Sequence, residues 1–385
     1  MYKFRAKSNI VLGALSLLSL LALLAVENGK VNVEQDWYEE KLDAAQLAQT
    51  AANHIKSIRL SEGVFIDAVN DPNETALIGQ EYTLVTTDRG YIESKLSSTN
   101  PNFAAVIVEM LKESDVGEGD NVALALTGSF PGMNISVLAA LQTLKLNPII
   151  ISSVGSSNWG ANDPYFTWLD MEQALFESNI FQAKSVAASI GGGSDIGRGL
   201  SPEGRRLIIK AIERNKLELI KEDHLENSIA RRMKIYEQKS NGKAIKAFIN
   251  VGGGIASLGN TINGKIIPSG LTEFLPKSNF PVRGVMIQMG QKAIPILHLL
   301  NISRLTEKYG LPDNTIPIPE PGVGEIFVQE KYSIWITSIA AFLLLLCIIF
   351  IYSMEKKHHQ LGMDVVPLTG GSQNENNNPE NALDL

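Results

Sequence analysis

The amino-acid sequence predicts an α/β domain with a largely parallel sheet and flanking helices, a Rossmann-like layered arrangement, and one transmembrane helix at each end. Short, nearly continuous apolar runs alternate with helical patterns, and glycine-rich breaks follow several of these runs. This alternation is typical of strands buried on both faces of a parallel sheet. Two uncharged apolar segments, residues 10–26 and 334–352, bracket the chain. Each is close to the roughly 17–25 residues that a membrane-spanning helix needs.

Basic residues flank the two apolar segments on the sides that face the chain termini. Lys3, Arg5 and Lys7 precede the first segment, and Lys356 and Lys357 follow the second. Because positively charged flanks stay on the cytoplasmic side, we expect a two-pass protein of the cell membrane with both termini in the cytoplasm and the central domain outside. Two alternatives stay open, namely a cleaved secretory signal for the first segment and a buried core helix for the second.

The composition restricts the classes of function that the domain can have. The formal net charge is -7, so the chain lacks the basic footprint of a nucleic-acid-binding protein, and we expect no nucleic-acid partner. The only cysteine, Cys347, lies in the second apolar segment, so the domain has neither a disulfide nor a thiol nucleophile. Its histidines, His54, His224 and His298, are scattered and do not form a zinc-site pattern. We therefore expect no metal.

The elements between the apolar segments follow from hydrophobic periodicity. The first strong unit consists of buried strands over residues 121–127 and 148–152 with a helix between them, which makes a right-handed parallel βαβ unit. Ser201 and Pro202 are expected to be the N-cap and the first position of a later helix. The remaining expected elements are strands over 185–190, 244–251 and 283–289, and helices over 37–60, 103–111, 202–219, 225–239 and 293–309.

These patterns divide the chain into consecutive segments. Residues 310–332 contain four prolines and are interpreted as an extended tether to the second span. The end of the chain is rich in Asn, Gly and Glu and is predicted to be disordered. The expected segments are a cytoplasmic tail (1–9), a transmembrane helix (10–26), a juxtamembrane helix with the stretch leading into the domain (27–100), the α/β domain (101–309), the tether (310–332), a transmembrane helix (333–353) and a cytoplasmic tail (354–385).

Glycine-rich loops after the predicted strands are the strongest indication of a binding site. Ligands of open parallel sheets bind at the carboxyl ends of the strands, and glycine amides at a helix N-terminus favour an anion. The alternative is plain turn chemistry. No loop matches the phosphate-binding P-loop or a dinucleotide fingerprint, so we expect no cofactor. The predicted binding residues for carboxylates or phosphates are Gly128, Ser129, Ser153, Asn158, Trp159, Gly192, Gly193, Ser194, Arg198, Gly253 and Gly254.

The sequence offers only isolated side chains for catalysis. Ser129 lies at a strand-to-helix turn, but a serine nucleophile needs a base, usually histidine, and no Gly-x-Ser-x-Gly elbow occurs. Asp163 and Asp195 are carboxylates in loops, where aspartates commonly act as caps and turn formers. We keep these three as candidates, with the catalytic residues otherwise unknown.

An aromatic segment over residues 156–170 has two interpretations. It places four aromatic side chains among Asn and Asp residues: Trp159, Tyr165, Phe166 and Trp168. They can staple an Ω-loop by packing on one another, or they can form a lip that binds an extended polymer.

Three segments and the general layout carry a resemblance to a known family. The segments are Leu-Thr-Gly-Ser-Phe-Pro-Gly (126–132), Ser-Ser-Val-Gly-Ser-Ser-Asn-Trp-Gly-Ala-Asn-Asp-Pro (152–164) and Ile-Gly-Gly-Gly-Ser-Asp-Ile-Gly-Arg (190–198). With its two spans and α/β domain, the chain resembles the membrane-anchored proteins of bacterial poly-γ-glutamate systems over nearly its full length, the tail excepted. The resemblance does not imply an active site.

The resemblance implies a place in the cell envelope and a ligand. The protein would act in synthesis, export or retention of poly-γ-glutamate, a capsule polymer with a free carboxylate on each unit, beside the bilayer and other membrane proteins of the system. Glycine-lined helix N-termini suit such carboxylates. Two other hypotheses are an extracytoplasmic hydrolase or transferase that trims or releases the polymer, and a receptor for a small anionic metabolite.

Overall fold

A computed structural model describes residues 9–277 and 280–363. The chain divides into two compact units. One comprises Met1–Val33 with Glu330–Leu385, and the other is Glu34–Gln329. Most of the two predicted cytoplasmic tails, residues 1–8 and 364–385, lies outside the described residues. The described part of the second tail, residues 354–363, was expected to be disordered but continues the last helix of the chain.

Helices and strands are numbered in chain order. The helices are α1 (Asn9–Asn28), α2 (Tyr38–Ser61), α3 (Ile92–Ser97), α4 (Phe103–Glu113), α5 (Pro131–Thr143), α6 (Trp168–Glu177), α7 (Pro202–Arg214), α8 (Leu225–Lys239), α9 (Ile255–Leu258), α10 (Asn263–Ile266), α11 (Val285–Gly290), α12 (Ile302–Lys308) and α13 (Ile334–Met363). The strands are β1 (Lys30–Glu34), β2 (Thr86–Asp88), β3 (Asn121–Thr127), β4 (Asn147–Ser153), β5 (Ser156–Ser157), β6 (Asn162–Asp163), β7 (Phe166–Thr167), β8 (Ala187–Ser189), β9 (Glu218–Ile220), β10 (Ile245–Val251), β11 (Gly270–Thr272), β12 (Ile296–Leu299) and β13 (Val328–Tyr332).

The terminal unit contains both predicted membrane segments. Helix α1 and the Ile334–Lys357 part of α13 are long and apolar enough to cross a membrane. The two helices contact each other, and apolar side chains of both, among them Leu18 and Leu343, line one common pocket. Strands β1 and β13 pair in a two-stranded sheet.

The domain is built on one seven-stranded sheet with the order β11-β12-β10-β3-β4-β8-β9. Its strands are parallel, except that β11 pairs antiparallel with β12 at one edge. Ala123 of β3 aligns with Ile149 on one side and with Phe248 on the other. Along the chain, β4, β8 and β9 are added in turn on one side of β3. The chain then returns to the other side of β3, where β10 is its neighbour and β12 and β11 lie beyond it. The strand order therefore reverses between β3 and β10, and this is the topological switch point of the sheet.

Helices cover both faces of the sheet, as the predicted layered arrangement requires. Helices α2, α4 and α5 pack against one another over one apolar cluster. Helices α8, α9 and α11 contribute to the cluster on the other face. Every residue of β3 is buried, which explains its nearly continuous apolar sequence.

The domain begins earlier than predicted, because α2 belongs to its core. Its alanines allow close approach to α4 and α5, and Ala44, Ala48 and Ala51 are essentially inaccessible to solvent. The helix was expected to be a juxtamembrane helix that precedes the domain. Its buried face instead makes it part of the layer that covers the sheet.

The proline-rich stretch after α12 is also part of the domain and is not a free tether. Leu311 and Phe327 are buried in the core. The side chain of Asn102 donates to the carbonyl oxygen of Glu320 over 2.9 Å and accepts from the amide of Gly322 over 3.0 Å. The side-chain amide of Asn102 thus supplies hydrogen-bond partners for backbone groups of this irregular segment. Because these groups are satisfied, the segment can pack against the domain.

Three predicted elements were wrong in type or extent. Residues 283–289 were expected to be a strand but contribute to helix α11, because a short buried apolar run has no distinguishing period. Residues 293–309 were expected to be one helix but contain β12, which is buried beside β10, and then α12, which is capped by Asn301. The predicted helix over 202–219 ends at Arg214, and its last residues enter the edge strand β9.

Ser201 caps helix α7 as predicted. Its Oγ atom accepts a hydrogen bond from the amide of Gly204 over 3.0 Å. We expect Ser201→Ala to lower the free energy of unfolding by about 1 kcal/mol, the usual value of an N-cap. Chemical denaturation of the full chain in detergent micelles measures the change. Ser303→Ala, which removes an exposed hydroxyl within α12, is the matched control, and equal effects of the two variants would contradict the capping role.

Candidate functional site

A cavity of about 700 Å³ opens at the carboxyl ends of the parallel strands, where the strand order reverses. Its walls come from the loops after β3, β4, β8, β10 and β12. Residues 87–95 and 261–269 complete the lining from outside the sheet. This is the position at which open α/β sheets bind their ligands.

The cavity brings together part of the predicted binding site. The predicted residues that line it are Ser129, Ser153, Gly192, Gly193, Gly253 and Gly254. The predicted residues outside its lining are Gly128, Asn158, Trp159, Ser194 and Arg198.

The predicted residues outside the lining hold the loops together. A Cβ atom on Gly128 would lie 2.5 Å from the carbonyl oxygen of Val154, so this position has no room for a side chain. The side chain of Asn158 accepts from the amide of Gly90 over 2.9 Å. On the surface, Arg198 donates to Ser194 Oγ over 2.7 Å. These contacts shape the cavity without facing it.

Two of the candidate catalytic residues also lie outside the lining. Asp163 accepts from Arg59 Nη2 over 2.7 Å and is partly exposed. Asp195 is buried and forms an ion pair with the equally buried Arg232, with Nη2 and Oδ2 separated by 3.1 Å. Ser129 lines the cavity, and its Oγ accepts from the amide of Ser157 over 3.0 Å.

The Asp195–Arg232 pair is the centre of a buried polar network beneath the glycine-rich loop after β8. Arg232 Nη2 donates to Ser153 Oγ over 3.0 Å and to Ser189 Oγ over 2.6 Å. Ser228 donates to Asp195 Oδ2 over 2.5 Å. Because both charges are paired and hydrogen-bonded, the network stabilises the loop whose Gly192 and Gly193 line the cavity.

Sequence reasoning missed the most distinctive residue of the cavity, Lys95. This lysine of α3 is only 2% exposed, yet its Nζ atom has no carboxylate partner among the described residues. It donates to the carbonyl oxygen of Ser129 and, over 2.8 Å, to Ser157 Oγ. It also lies 3.8 Å from the centroid of the Phe130 ring. Burial lowers the pKa of Lys95 to about 7.

Three exposed cations line the cavity in addition to Lys95. Arg89, Lys265 and Arg304 come from different segments, and none of them forms an ion pair within the described part of the chain. Asp88 is the only acidic residue of the lining. The cavity therefore carries an excess of positive charge, although the whole chain has a net charge of -7.

Polar groups without a protein partner also converge on the cavity. Thr127 at the end of β3 is 5% exposed, and its Oγ1 atom has no hydrogen-bond partner among the described residues. The amides of Ser129 and Phe130, just before α5, likewise make no hydrogen bond to the described chain. A buried polar group without a partner is costly unless a ligand or water satisfies it. These donors and the four cations suit a carboxylate or phosphate group.

The aromatic segment does not form a lip for an extended polymer. Trp168 is fully buried, and Phe166 is buried with the Arg59 guanidinium 4.6 Å from its ring centroid. A capping box between Thr167 and Asp170 starts α6 at this point. Only Tyr165 of this segment is strongly exposed, so the aromatic faces are not available to an extended chain.

Comparison of the chain with protein-family models, with curated proteins and with solved structures found no match. Within residues 9–277 and 280–363, no group of three or more His, Cys, Asp or Glu side chains converges to hold a metal ion.

Proposed function

We propose that this protein is a membrane-anchored, extracytoplasmic component of poly-γ-glutamate synthesis, export or retention that binds carboxylates of the polymer in the switch-point cavity. The observation that carries the proposal is Lys95, a buried cation without a protein anion, in a cavity lined by further cations. Binding a carboxylate there would supply the missing countercharge. The resemblance to poly-γ-glutamate system proteins supports the choice of polymer.

The proposed topology follows from the flanking charges of the two apolar helices. Both termini lie in the cytoplasm and the domain lies outside, where an exported polymer passes. Because a polymer offers a carboxylate on each unit, the cations around the opening can contact neighbouring units of the same chain. The cavity is thus proposed to hold a segment of the polymer, and other membrane proteins of the system to deliver it.

Removal of the exposed cavity cations tests the proposal. We expect the triple variant Arg89→Gln, Lys265→Gln, Arg304→Gln to bind a short γ-linked glutamate oligomer at least about tenfold more weakly, since charge-assisted hydrogen bonds to carboxylates contribute about 1.5–3 kcal/mol each when well formed. Isothermal titration calorimetry with the full chain in lipid nanodiscs at low ionic strength measures the affinity, because salt screens exposed charges.

The matched control changes net charge equally at a distance from the cavity. Lys234, Lys239 and Lys243 are exposed, lie outside the cavity lining and form no ion pair in the described chain. Their triple change to Gln should leave the affinity within about twofold, because distant exposed charges are screened. Equal loss in both triple variants would contradict a specific site. Binding of succinate as tightly as the oligomer would instead favour a receptor for a small anion.

A further inference from the structure

We propose that Ser157 and Lys95 form a nucleophile–base pair that cleaves an amide or ester bond in a substrate whose carboxylate is held by the three exposed cavity cations, which leaves Lys95 free to act as the base. This inference rests on the proposed anion site, because that site supplies the orientation of the substrate. It assigns the reaction to a serine other than Ser129 and to a base other than histidine.

The geometry of the pair meets the first requirement for such chemistry. Ser157 Oγ and Lys95 Nζ are 2.8 Å apart, which is within hydrogen-bond reach of a proton transfer. Both residues line the cavity, and both side chains are nine-tenths buried or more. Ser157 belongs to β5, which pairs with β2, while Lys95 belongs to α3. Two separate elements thus hold the two groups, and the pair is fixed by the fold.

The environment of Lys95 meets the second requirement, a base that is neutral near physiological pH. No carboxylate of the described chain pairs with Lys95, and burial holds its pKa near 7. Serine–lysine pairs replace the serine–histidine arrangement in some acyl-transfer enzymes, and a lysine with a lowered pKa can act as general base. No residue of the cavity lining is a histidine. Among the residues of the lining, Lys95 is the base within hydrogen-bond reach of Ser157 Oγ.

Neighbouring groups complete the arrangement. Ser129 Oγ accepts from the Ser157 amide, and its own proton has no acceptor in the described chain, so it can donate to a developing oxyanion. A Cβ atom on Gly90 would lie 3.0 Å from Ser157 Oγ and 3.1 Å from Lys95 Cε. A side chain at Gly90 would therefore crowd the pair, and glycine leaves the contact between Ser157 Oγ and Lys95 Nζ undisturbed. Asn158 holds the Gly90 amide in this place.

The proposed reaction has two balanced steps. Ser157 Oγ bonds to the carbonyl carbon of the substrate while its proton moves to Lys95 Nζ, and the C–N bond then breaks as Lys95 returns that proton to the leaving amine. Water next attacks the resulting ester and gives a proton to Lys95. The C–Oγ bond breaks, Oγ takes up that proton, and a carboxylic acid leaves. A serine ester on the protein is the intermediate.

An alkyl fluorophosphonate tests the pair without knowledge of the substrate. The probe should phosphonylate Ser157 in the full-length protein in nanodiscs, as located by mass spectrometry. We expect the labelling rate to rise about tenfold between pH 6 and pH 8 as Lys95 loses its proton. Ser157→Ala and Lys95→Met should each abolish the modification. Ser303→Ala, at an exposed serine outside the cavity, should leave it unchanged.

A second variant keeps the test independent of the phosphonate probe. In a Cys347→Ser background, Ser157→Cys should react with iodoacetamide at pH 6.5 at least about tenfold faster than Ser303→Cys, because the neighbouring ammonium stabilises a thiolate. Lys95→Met should remove the difference. No label at Ser157 together with equal alkylation at both cysteine variants would overturn the pair. Because Ser157→Ala leaves the four cavity cations in place, oligomer binding that persists in that variant separates failure of the pair from failure of the anion site.

Discussion

Lys95→Met is expected to weaken binding of the γ-linked glutamate oligomer by more than tenfold, while leaving the protein at least as stable as the wild type at pH 6. The change removes a cation from the cavity and replaces it with an apolar side chain of similar length. A residue that costs folding stability and supports binding is expected at a functional site. The prediction therefore separates binding from stability in one substitution.

The stability part follows from the pKa of Lys95. Burial lowers this pKa from 10.5 to about 7, and each pKa unit corresponds to about 1.4 kcal/mol, so holding the charge below pH 7 costs several kcal/mol. Lys95→Met removes this cost, which stabilises the folded protein. The variant also loses the hydrogen bonds that Lys95 donates to Ser157 Oγ and to the Ser129 carbonyl oxygen, which destabilises it. Each unsatisfied group costs about 1–3 kcal/mol, so the two contributions are comparable, and no net loss is expected.

The difference in free energy of unfolding between the wild type and Lys95→Met is expected to change with pH. The folded pKa lies below the unfolded value, so the full cost applies below about pH 7 and disappears as pH rises toward 10.5. The wild type should therefore gain about 1.4 kcal/mol per pH unit over Lys95→Met between pH 7 and pH 10. Oligomer binding by the wild type should weaken as pH rises from 6 to 8, since the charge of Lys95 is lost, and the variant should show no such change.

Thermal unfolding and calorimetric titration of both proteins in nanodiscs, at several pH values, measure these differences. Lys112→Met is a suitable control, because Lys112 is a partly exposed lysine that pairs with Glu40 over 3.3 Å outside the cavity. A parallel stability profile for wild type and Lys95→Met would show that Lys95 has an ordinary pKa in the folded protein. Unchanged oligomer binding would remove Lys95 from the site.

The sheet was predictable because its central strands are buried on both faces, so their sequences are nearly continuous apolar runs. The expected strand over 121–127 coincides with β3, and the glycine breaks correctly indicated the carboxyl ends of the strands. Strand β12 was missed because three of its four residues are apolar and all four are buried, and periodicity cannot separate a buried strand from a buried helix over such a length. The elements that could not be predicted were short ones, because the local sequence does not determine the conformation over so few residues.

The candidate site was only half predictable for a different reason. Its glycines and serines follow strands, so the α/β pattern placed them at one edge. Lys95 lies in a short helix whose sequence resembles any exposed polar segment, and its partner Ser157 is 62 positions away along the chain. Only the fold reveals that Lys95 is buried and lacks a carboxylate. Asp195 shows the reverse error, because a carboxylate in a glycine-rich loop suggested chemistry, whereas its partners Arg232 and Ser228 give it a structural role.

Arg232→Met is expected to lower the free energy of unfolding by about 3–5 kcal/mol, the usual cost of breaking a buried ion pair by removing one partner. The substitution leaves the Asp195 carboxylate buried, with only the hydroxyls of Ser153, Ser189 and Ser228 to stabilise its charge. It also removes the donor that Ser153 Oγ accepts from over 3.0 Å. Chemical denaturation of the full chain measures the change.

The adjacent residue provides the matched control. Arg231 precedes Arg232 on α8 and pairs with Glu218, but both side chains of that pair are substantially exposed. Arg231→Met should cost less than about 1 kcal/mol, because solvent screens an exposed pair. Similar losses for the two arginines would show that burial does not determine the effect. Adding Asp195→Asn to Arg232→Met should recover part of the loss, since the isolated charge is then removed.

The same substitution links the buried network to the cavity. Asp195 adopts a left-handed backbone conformation, with φ of 63°, inside the loop that carries Gly192 and Gly193. Such a conformation persists in a residue with a side chain only when its surroundings hold it, and here the ion pair with Arg232 is one of the contacts that hold Asp195. Arg232→Met should therefore weaken oligomer binding even under conditions where the protein remains folded, whereas Arg231→Met should not. Unchanged binding in the folded Arg232→Met protein would show that the loop keeps its shape without the ion pair, and that the network serves stability alone.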